Sequence, residues 1–493
     1  MDTIHLKTVD PLSQELLKSA SQRGIKLNWD RYERLQPQDG FLRVGLSCPY
    51  GCMQGPCRID PFGRGPDRGL CGLDRDRMVA ALFLRVVLNG TLEAMNGVAG
   101  FDKTAEFSLP PLPDKIFSKA AKNLGGQKLS LEEVSRSASY LNRPQESPEG
   151  LVLQALRLGI MALGLPGKRK ISKGPDRILS VKVGYGLLAQ KGFLIGTCGK
   201  LSPGFLEVVQ KEVSRNFPGG GQFVSLGDWV PSGSSFLPFA CTSGEAELVV
   251  SSGRIHLLIA GPGTDPSMVE LCRSLKVPLI SSQDPKKATK IIRQASQKAE
   301  VTSGLSFTPG PSLVEETGVI TAPQQLEEYF AKKAANGLAL LGGADHVQQS
   351  LGWIPAEVGS ALQAEGYGIA SWGDAALWMI KKGLASPKYK LPVRILDGQQ
   401  GPMLALKALG GSGRLKQLKG ICFAGLKSCQ DLAIALGLAS LGLRVCVAMP
   451  LPLWGSEKVR NLLEEKLAIQ GGSLTHFDHP AQAQEILEWF MKK

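Results

Sequence analysis

Histidine is scarce in this chain, with five residues in 493, at positions 5, 256, 346, 476 and 479. That scarcity argues against a histidine-rich metal site, and no Ser/His/Asp or Cys/His triad can be assembled by spacing. Long apolar runs are missing too. The start, MDTIHLKTVDPLSQELLKSA, carries acidic residues where a signal peptide needs an unbroken apolar core, so the chain reads as cytoplasmic and without a membrane span. There is no GxGxxG fingerprint or Walker loop; GPGTDPS at 261–267 resembles one only loosely. Helix-turn-helix, zinc-finger and aromatic RNA-binding signatures are absent, which sets nucleic acid aside as a partner.

What is present is ordinary globular composition, 43% hydrophobic and 20% charged, in a chain long enough for two to four domains. Lys and Arg total 57 against 44 Asp and Glu, an excess of 13 positive charges. Such a surface favours an acidic partner, for a redox protein one such as a ferredoxin. The basic run Lys168, Arg169, Lys170 and Lys173 sits in a Pro/Gly-flanked stretch and reads as a solvated linker.

Patterning divides the chain in three. Residues 1–180 read as a helical domain interrupted by a cysteine loop, with Leu12, Leu16 and Leu17 on one face of a first helix. Asp74 is placed to cap a helix whose core stripe is Met78, Val79, Leu82 and Val86, and a further helix is expected over Gly150–Leu163. From 185 to 325, short apolar runs ending in Gly/Ser/Thr-rich loops alternate with helical segments, as in GFLIGTCGK, LPFACTSGEAELV, IHLLIAGPGTDPS and VPLISS. The same grammar returns over 335–493 in GLALLGG, VRILD, GICFAG and LRVCVAMP, closing on a helix from Ala481 to Phe490. The expected fold class is multidomain α/β, a helical domain followed by two Rossmann-like parallel-sheet domains.

Ten cysteines are too few for a disulfide scaffold at this length. Four of them, Cys48, Cys52, Cys57 and Cys71, follow the spacing C-x3-C-x4-C-x13-C among repeated Pro and Gly. Three ligands in one tight loop and a fourth returning later suit a cubane cluster, whose four irons each take one thiolate. Arg58, Arg64 and Arg68 would offset its negative charge. Zinc is the rival, although structural zinc sites usually pair two short Cys hairpins. Of the others, Cys272, Cys422 and Cys446 sit in apolar surroundings and read as core. Cys198, Cys241 and Cys429 each fall between a strand and a helix, in GTCGK, ACTSGE and LKSCQD, where α/β proteins gather ligands.

The run WDRYERLQPQDGF followed by GPCRIDPFGRGPDRGLCG resembles the amino-terminal region of nickel-containing carbon monoxide dehydrogenases. ALRLGIMALG, the loop at Cys198, ACTSGEAELV and GRLKQLKGICFAG look like further pieces of that family in the same order. The resemblance implies the helical and double α/β fold shared with prismane, or hybrid-cluster, proteins. It implies that Cys48, Cys52, Cys57 and Cys71 hold a [4Fe-4S] cluster. Asp39 and Ser47 fall where the family places the two cysteines of a cluster shared across its dimer, so that cluster is expected to be absent here.

For the catalytic nickel–iron–sulfur cluster the resemblance implies a partial ligand set. Cys198 stands where the family has a histidine, and Cys241 matches a ligand. Gly263 falls at the third position, while Cys429, or Cys422, serves as the fourth. Pro450 and Leu451 fall at the fifth, and the sixth lies beyond the last residue, so the chain looks divergent and shortened. Closely spaced histidines that follow the helix near 74–88 in the family are replaced by GTLEAMNGVAGF. The expectation is an iron–sulfur redox protein passing electrons through a [4Fe-4S] cluster, with an altered second Fe–S or Ni–Fe–S centre on Cys198, Cys241 and Cys429, as a homodimer or subunit of a larger complex. Two alternatives stay open: a non-catalytic subunit or scaffold, and a genuine carbon monoxide dehydrogenase with unusual ligands.

Overall fold

The computed structural model describes residues 7–35, 48–96 without 51, 56 and 61–63, 119–124 without 121, 131–142, 145–164, 179–297 without 191, 218–219 and 233–234, 314–331, 337–398, 401–411, and 415–492 without 454, 478 and 480. The chain forms two compact units, each assembled from three separate stretches. One comprises Met1–Gln36, Gly174–Gln325 and Ala344–Gly401; the other Pro37–Lys173, Leu326–Gly343 and Pro402–Lys493. These units cut across the three consecutive stretches expected from patterning, because the first helices pack far along the chain.

In the first unit, strands lie in the order Gly368–Ser371, Arg394–Leu396, Glu315–Ile320, Leu179–Val183, Phe239–Cys241, Gly221–Leu226, Phe193–Cys198, Leu257–Ala260 and Leu279–Ile280. Neighbours are parallel except Leu179–Val183 against Glu315–Ile320, which are antiparallel. Parallel strands need helical returns, and these cover both faces of the sheet. Side chains alternate accordingly. Ile195, Leu257 and Ile259 pack on one face against Val209, Val213 and Ile292 of helices Pro203–Asn216 and Pro285–Gln297. Leu194, Cys198, Leu226 and Leu258 turn to the other, against Leu248 and Val249 of helix Ala246–Ser251 and Leu271 of helix Pro266–Ser274.

The first helix, Pro11–Gln22, joins that second face. Asp10 caps it, accepting the Leu12 backbone N–H at 2.8 Å, and Leu16 and Ala20 are buried with Tyr185 and Val249. Leu12 and Leu17 flank them, partly buried, as their spacing predicts. Burying one such leucine contributes ~1.5–3 kcal/mol, enough to draw this amino-terminal helix to its sheet.

In the second unit four parallel strands run in the order Ser473–His476, Arg444–Val447, Leu418–Phe423 and Leu338–Gly342. Three helices, Arg75–Asn96, Pro148–Gly164 and Cys429–Ser440, pack on one another. Asp74 caps the first, accepting the Arg77 backbone N–H at 2.9 Å. Its buried stripe is Met78, Val79, Phe83, Leu84 and Val87, while Leu82 and Val86 are only half-buried. The expected stripe was therefore partly misplaced: Phe83 and Leu84 are the bulky residues the neighbouring helices cover. This helix is long and apolar enough to cross a membrane, but its apolar residues are satisfied by protein: both partner helices pack along it.

Glycines set how closely these helices approach. A Cβ on Gly437 would lie 2.3 Å from the Gly159 carbonyl oxygen, and one on Gly90 would lie 2.1 Å from that of Cys429. Backbone meets backbone at both places. Gly437→Ala should therefore lower stability by about 1–3 kcal/mol through overpacking. Gly204→Ala, on an exposed helix position with nothing within 4 Å of its Cβ, should be neutral or gain up to about 1 kcal/mol. Chemical denaturation midpoints of the two variants check the contrast.

Candidate functional site

Cys48, Cys52, Cys57 and Cys71 lie on one turn-rich loop of the second unit that leads into helix Arg75–Asn96. The Cys48 N–H bonds to the Cys57 carbonyl at 2.9 Å, and the Gly55 N–H closes a tight turn on the Cys52 carbonyl at 3.1 Å. Gly69 and Gly72 fold the return segment, the Gly72 N–H reaching the Gly69 carbonyl at 2.8 Å. Backbone donors point at sulfur. Gln54 N–H donates to Cys52 Sγ at 3.4 Å, Leu70 N–H to Cys57 Sγ at 3.3 Å, and Tyr50 N–H to the Cys48 sulfur.

Burial raises the Cys48 thiol above its usual range, the Tyr50 N–H opposes this, and Cys57, Cys71 and Cys52 all raise it further. All four sulfurs thus share one electrostatic neighbourhood. Among the described residues, no three Cys, His, Asp or Glu side chains are drawn together tightly enough to hold a single metal ion. The chemistry of this donor set, four thiols with backbone N–H groups aimed at three of them, fits an iron–sulfur cluster. Cys52 and Cys71 are exposed and Cys48 and Cys57 half-buried. Arg58, Arg64 and Arg68 are exposed residues of the same loop. Asp39 and Ser47 fall outside the described residues.

The remaining candidates divide between the units. Cys198 and Cys241 end strands Phe193–Cys198 and Phe239–Cys241 of the first, separated by the single strand Gly221–Leu226, and both are buried in one apolar cluster. Cys429 belongs to the second unit, as the first residue of helix Cys429–Ser440 behind the cap Ser428. Cys422 and Cys446 face each other on adjacent strands and Cys272 is wholly buried, core positions as expected. Gly263, with a φ of 86°, and buried Leu451 supply no side-chain donor. His256 takes a structural role: Leu194 N–H donates to its Nδ1 at 2.9 Å, and burial, then Arg254, holds the ring below its usual pKa.

Beside Cys241 lies a polar network that spacing does not reveal. Glu245, fully buried, receives Lys381 Nζ at 2.9 Å on Oε1 and 3.1 Å on Oε2, Ser13 Oγ at 2.5 Å and Thr242 N–H at 3.1 Å. Lys381 also pairs with Asp10. Asp345 accepts Thr242 Oγ1 at 2.5 Å and Trp378 Nε1 at 2.8 Å. Asp374 accepts Ser243 N–H at 2.9 Å, Ser243 Oγ at 2.5 Å and the Asp345 N–H at 3.0 Å. The only sequence hint is Glu245 itself, an acid set between a small-residue turn and an apolar helix. Burial, then Glu245 and Cys198, push the Cys241 thiol well up, with Lys381 opposing. Burial, then Asp374, push Asp345 well above the ordinary 3.8 of an aspartate.

The fold defines the class: the chain has the architecture of carbon monoxide dehydrogenases. Carbon Monoxide Dehydrogenase IV from Carboxydothermus hydrogenoformans superposes with a TM-score of 0.80 at 17% identity over 98% of both chains. The Ni-free carbon monoxide dehydrogenase from Thermococcus sp. AM4 gives 0.77 at 18% identity over 98% of this chain and 96% of that one. In sequence, carbon monoxide dehydrogenase 1 of Methanosarcina mazei is 42% identical over 180 residues, 32% of this chain and 28% of the relative. The enzyme of Rhodospirillum rubrum is 49% identical over 82 residues, 17% of this chain and 13% of the relative. These matches thus span less than a third of those relatives' lengths. No family model matches the chain. The sequence matches and the fold agree: stretches of this chain are similar to carbon monoxide dehydrogenases, and its architecture is theirs.

Asp345 gives a test of the network. An acid whose folded pKa is raised above its unfolded value adds least penalty at low pH, and costs stability as pH climbs above the ordinary range near 3.8. Asp345→Asn keeps the shape and cannot ionise, so its stability relative to the native chain should rise steadily from about pH 4 upward. Asp374→Ala, by contrast, strands the Ser243 and Asp345 N–H groups and should cost on the order of 3 kcal/mol. Denaturant titrations at several pH values measure both.

Proposed function

We propose that this chain is an iron–sulfur redox protein that holds a [4Fe-4S] cluster on Cys48, Cys52, Cys57 and Cys71 and moves electrons through it. The observation that carries the reading is the loop itself: four thiols in one electrostatic neighbourhood, with backbone N–H groups donating to the sulfurs of Cys48, Cys52 and Cys57. N–H···S bonds and nearby arginines both offset the charge of four thiolates. Bound there, the cluster would supply one-electron exchange. Exposed Cys52 and Cys71, with Arg58, Arg64 and Arg68 exposed in the same loop, favour an acidic electron carrier as partner.

A second metal centre in the first unit would draw on the buried pair Cys198 and Cys241. Its donor set departs from that of a family catalytic cluster, with Gly263 and Leu451 at positions that need thiolates. CO oxidation also releases two protons and needs a base near the metal. Carbon monoxide turnover is therefore not the activity proposed for this chain, and electron transfer within a redox complex is.

Anaerobically reconstituted protein should bind about four irons and four sulfides and show a broad absorbance that bleaches on reduction. Cys57→Ser should lose that iron and that band. Unchanged iron content and spectrum in the variant would show that the loop is not the ligand set. Protein supplied with both nickel and iron should give no CO-dependent reduction of a viologen dye. Sustained turnover would instead mark a working carbon monoxide dehydrogenase with unusual ligands.

A further inference from the structure

Tyr50, in the middle of the cysteine loop, ends in a hydroxyl with nothing to bond. The residue is 6% exposed, and its phenol oxygen is enclosed and has no hydrogen-bond partner among the described residues. A buried phenol ordinarily finds one, as Tyr185 does in Ser13 Oγ at 2.8 Å. Leaving such a donor unmatched away from water costs stability, so a fold that keeps one there gains something for it elsewhere. Tyr50 stands two residues from both Cys48 and Cys52, and its own N–H already donates to the Cys48 sulfur. Cys48, Arg77, Cys71 and Glu146 all act electrostatically on the phenol, Cys48 most strongly. Arg77 has donors only and cannot take its hydrogen. Neutral thiols are weak acceptors, whereas the anionic sulfurs of an iron–sulfur cluster are strong ones.

We propose that the Tyr50 hydroxyl is a donor held for sulfur of the cluster bound at Cys48, Cys52, Cys57 and Cys71, and that it raises the reduction potential of that cluster. The inference rests on the iron–sulfur reading of the loop and adds a side-chain donor to the backbone N–H groups of Tyr50, Gln54 and Leu70. Reduction places one more negative charge on the sulfurs. A donor aimed at them therefore favours the reduced form over the oxidised one.

Burial is what gives the hydroxyl its weight. Arg58, Arg64 and Arg68 are exposed, and solvent and salt screen their charge. The enclosed O–H of Tyr50 carries no charge to screen and no competing water at its surface. Phenylalanine has the same ring without the donor, so Tyr50→Phe separates the hydrogen bond from the packing.

The experiment compares the full-length native chain with Tyr50→Phe, each without metal and after anaerobic reconstitution with iron and sulfide. Without metal, the denaturation midpoint of Tyr50→Phe should equal or exceed the native one, because only an unmatched hydroxyl is lost. After reconstitution the two should hold the same iron and sulfide, and a redox titration followed by the bleaching of the absorbance band should place the variant at a more negative potential. At the native midpoint its reduced-to-oxidised ratio should fall about tenfold, or about 59 mV for one electron. Equal potentials overturn the proposal. A lowered metal-free midpoint overturns it too, since the hydroxyl would then have a partner, such as an enclosed water, before any cluster binds. Failure of Tyr50→Phe to retain iron that the native chain retains counts for the proposal where the metal-free midpoint has held, and against it where that midpoint has fallen. A native chain that takes up no iron and sulfide overturns the iron–sulfur reading itself, before any variant is compared, and this inference with it.

Discussion

The ion pair between Glu245 and Lys381 is the contact on which the first unit most depends. It fastens three stretches of chain distant in sequence, since Lys381 also reaches Asp10 at the cap of the first helix. Removing both charges from water is costly. Burial opposes the charged form of Lys381, but Glu245 and then Asp10 outweigh it and raise its pKa. The ammonium also lies 4.3 Å from the Trp378 ring centroid and 4.8 Å from that of Tyr185, so aromatic faces supply part of what hydration gave up. Without the lysine, Glu245 would be a buried anion left to neutral donors such as Ser13 Oγ and the Thr242 N–H.

The second unit is held by other means. Its three-helix packing rests on backbone contact at Gly90, Gly159 and Gly437, which fixes the helices by shape. One buried acid, Glu133, is answered within the unit by Arg157 and by Gln154 Nε2 at 3.0 Å. The cysteine loop is attached to the first of these packed helices through Asp74. A mobile anchor would let four sulfurs wander; a helix packed against two others does not.

Much of this was legible in the residues. Apolar runs such as FLIG, LLIA and GICF mark strands buried on both faces, and they are strands. Gly221–Leu226 and Ser473–His476 passed unnoticed because Gln222, Ser225, Ser473 and Thr475 dilute their apolar character. Leu179–Val183, LSVKV, alternates with a period of two unlike the fully buried strands, whereas its antiparallel partner Glu315–Ile320 buries only Val319 and Ile320 at its end. The cysteine loop announced itself through local spacing. The buried acids could not, since Asp345 and Thr242 are 103 positions apart and nothing in either neighbourhood signals the other. Polar contacts made across the fold carry no local period.

The openness of Cys52 and Cys71 has a chemical price of its own. Sulfurs within reach of an electron carrier are equally within reach of dioxygen, and thiols in a polar, arginine-flanked loop are prone to oxidation. The buried thiols Cys198, Cys241, Cys272, Cys422 and Cys446 are shielded from that attack. Air would therefore reach the loop thiols before the buried ones, and the exposure that would make the loop a port for electrons leaves it open to oxidants as well.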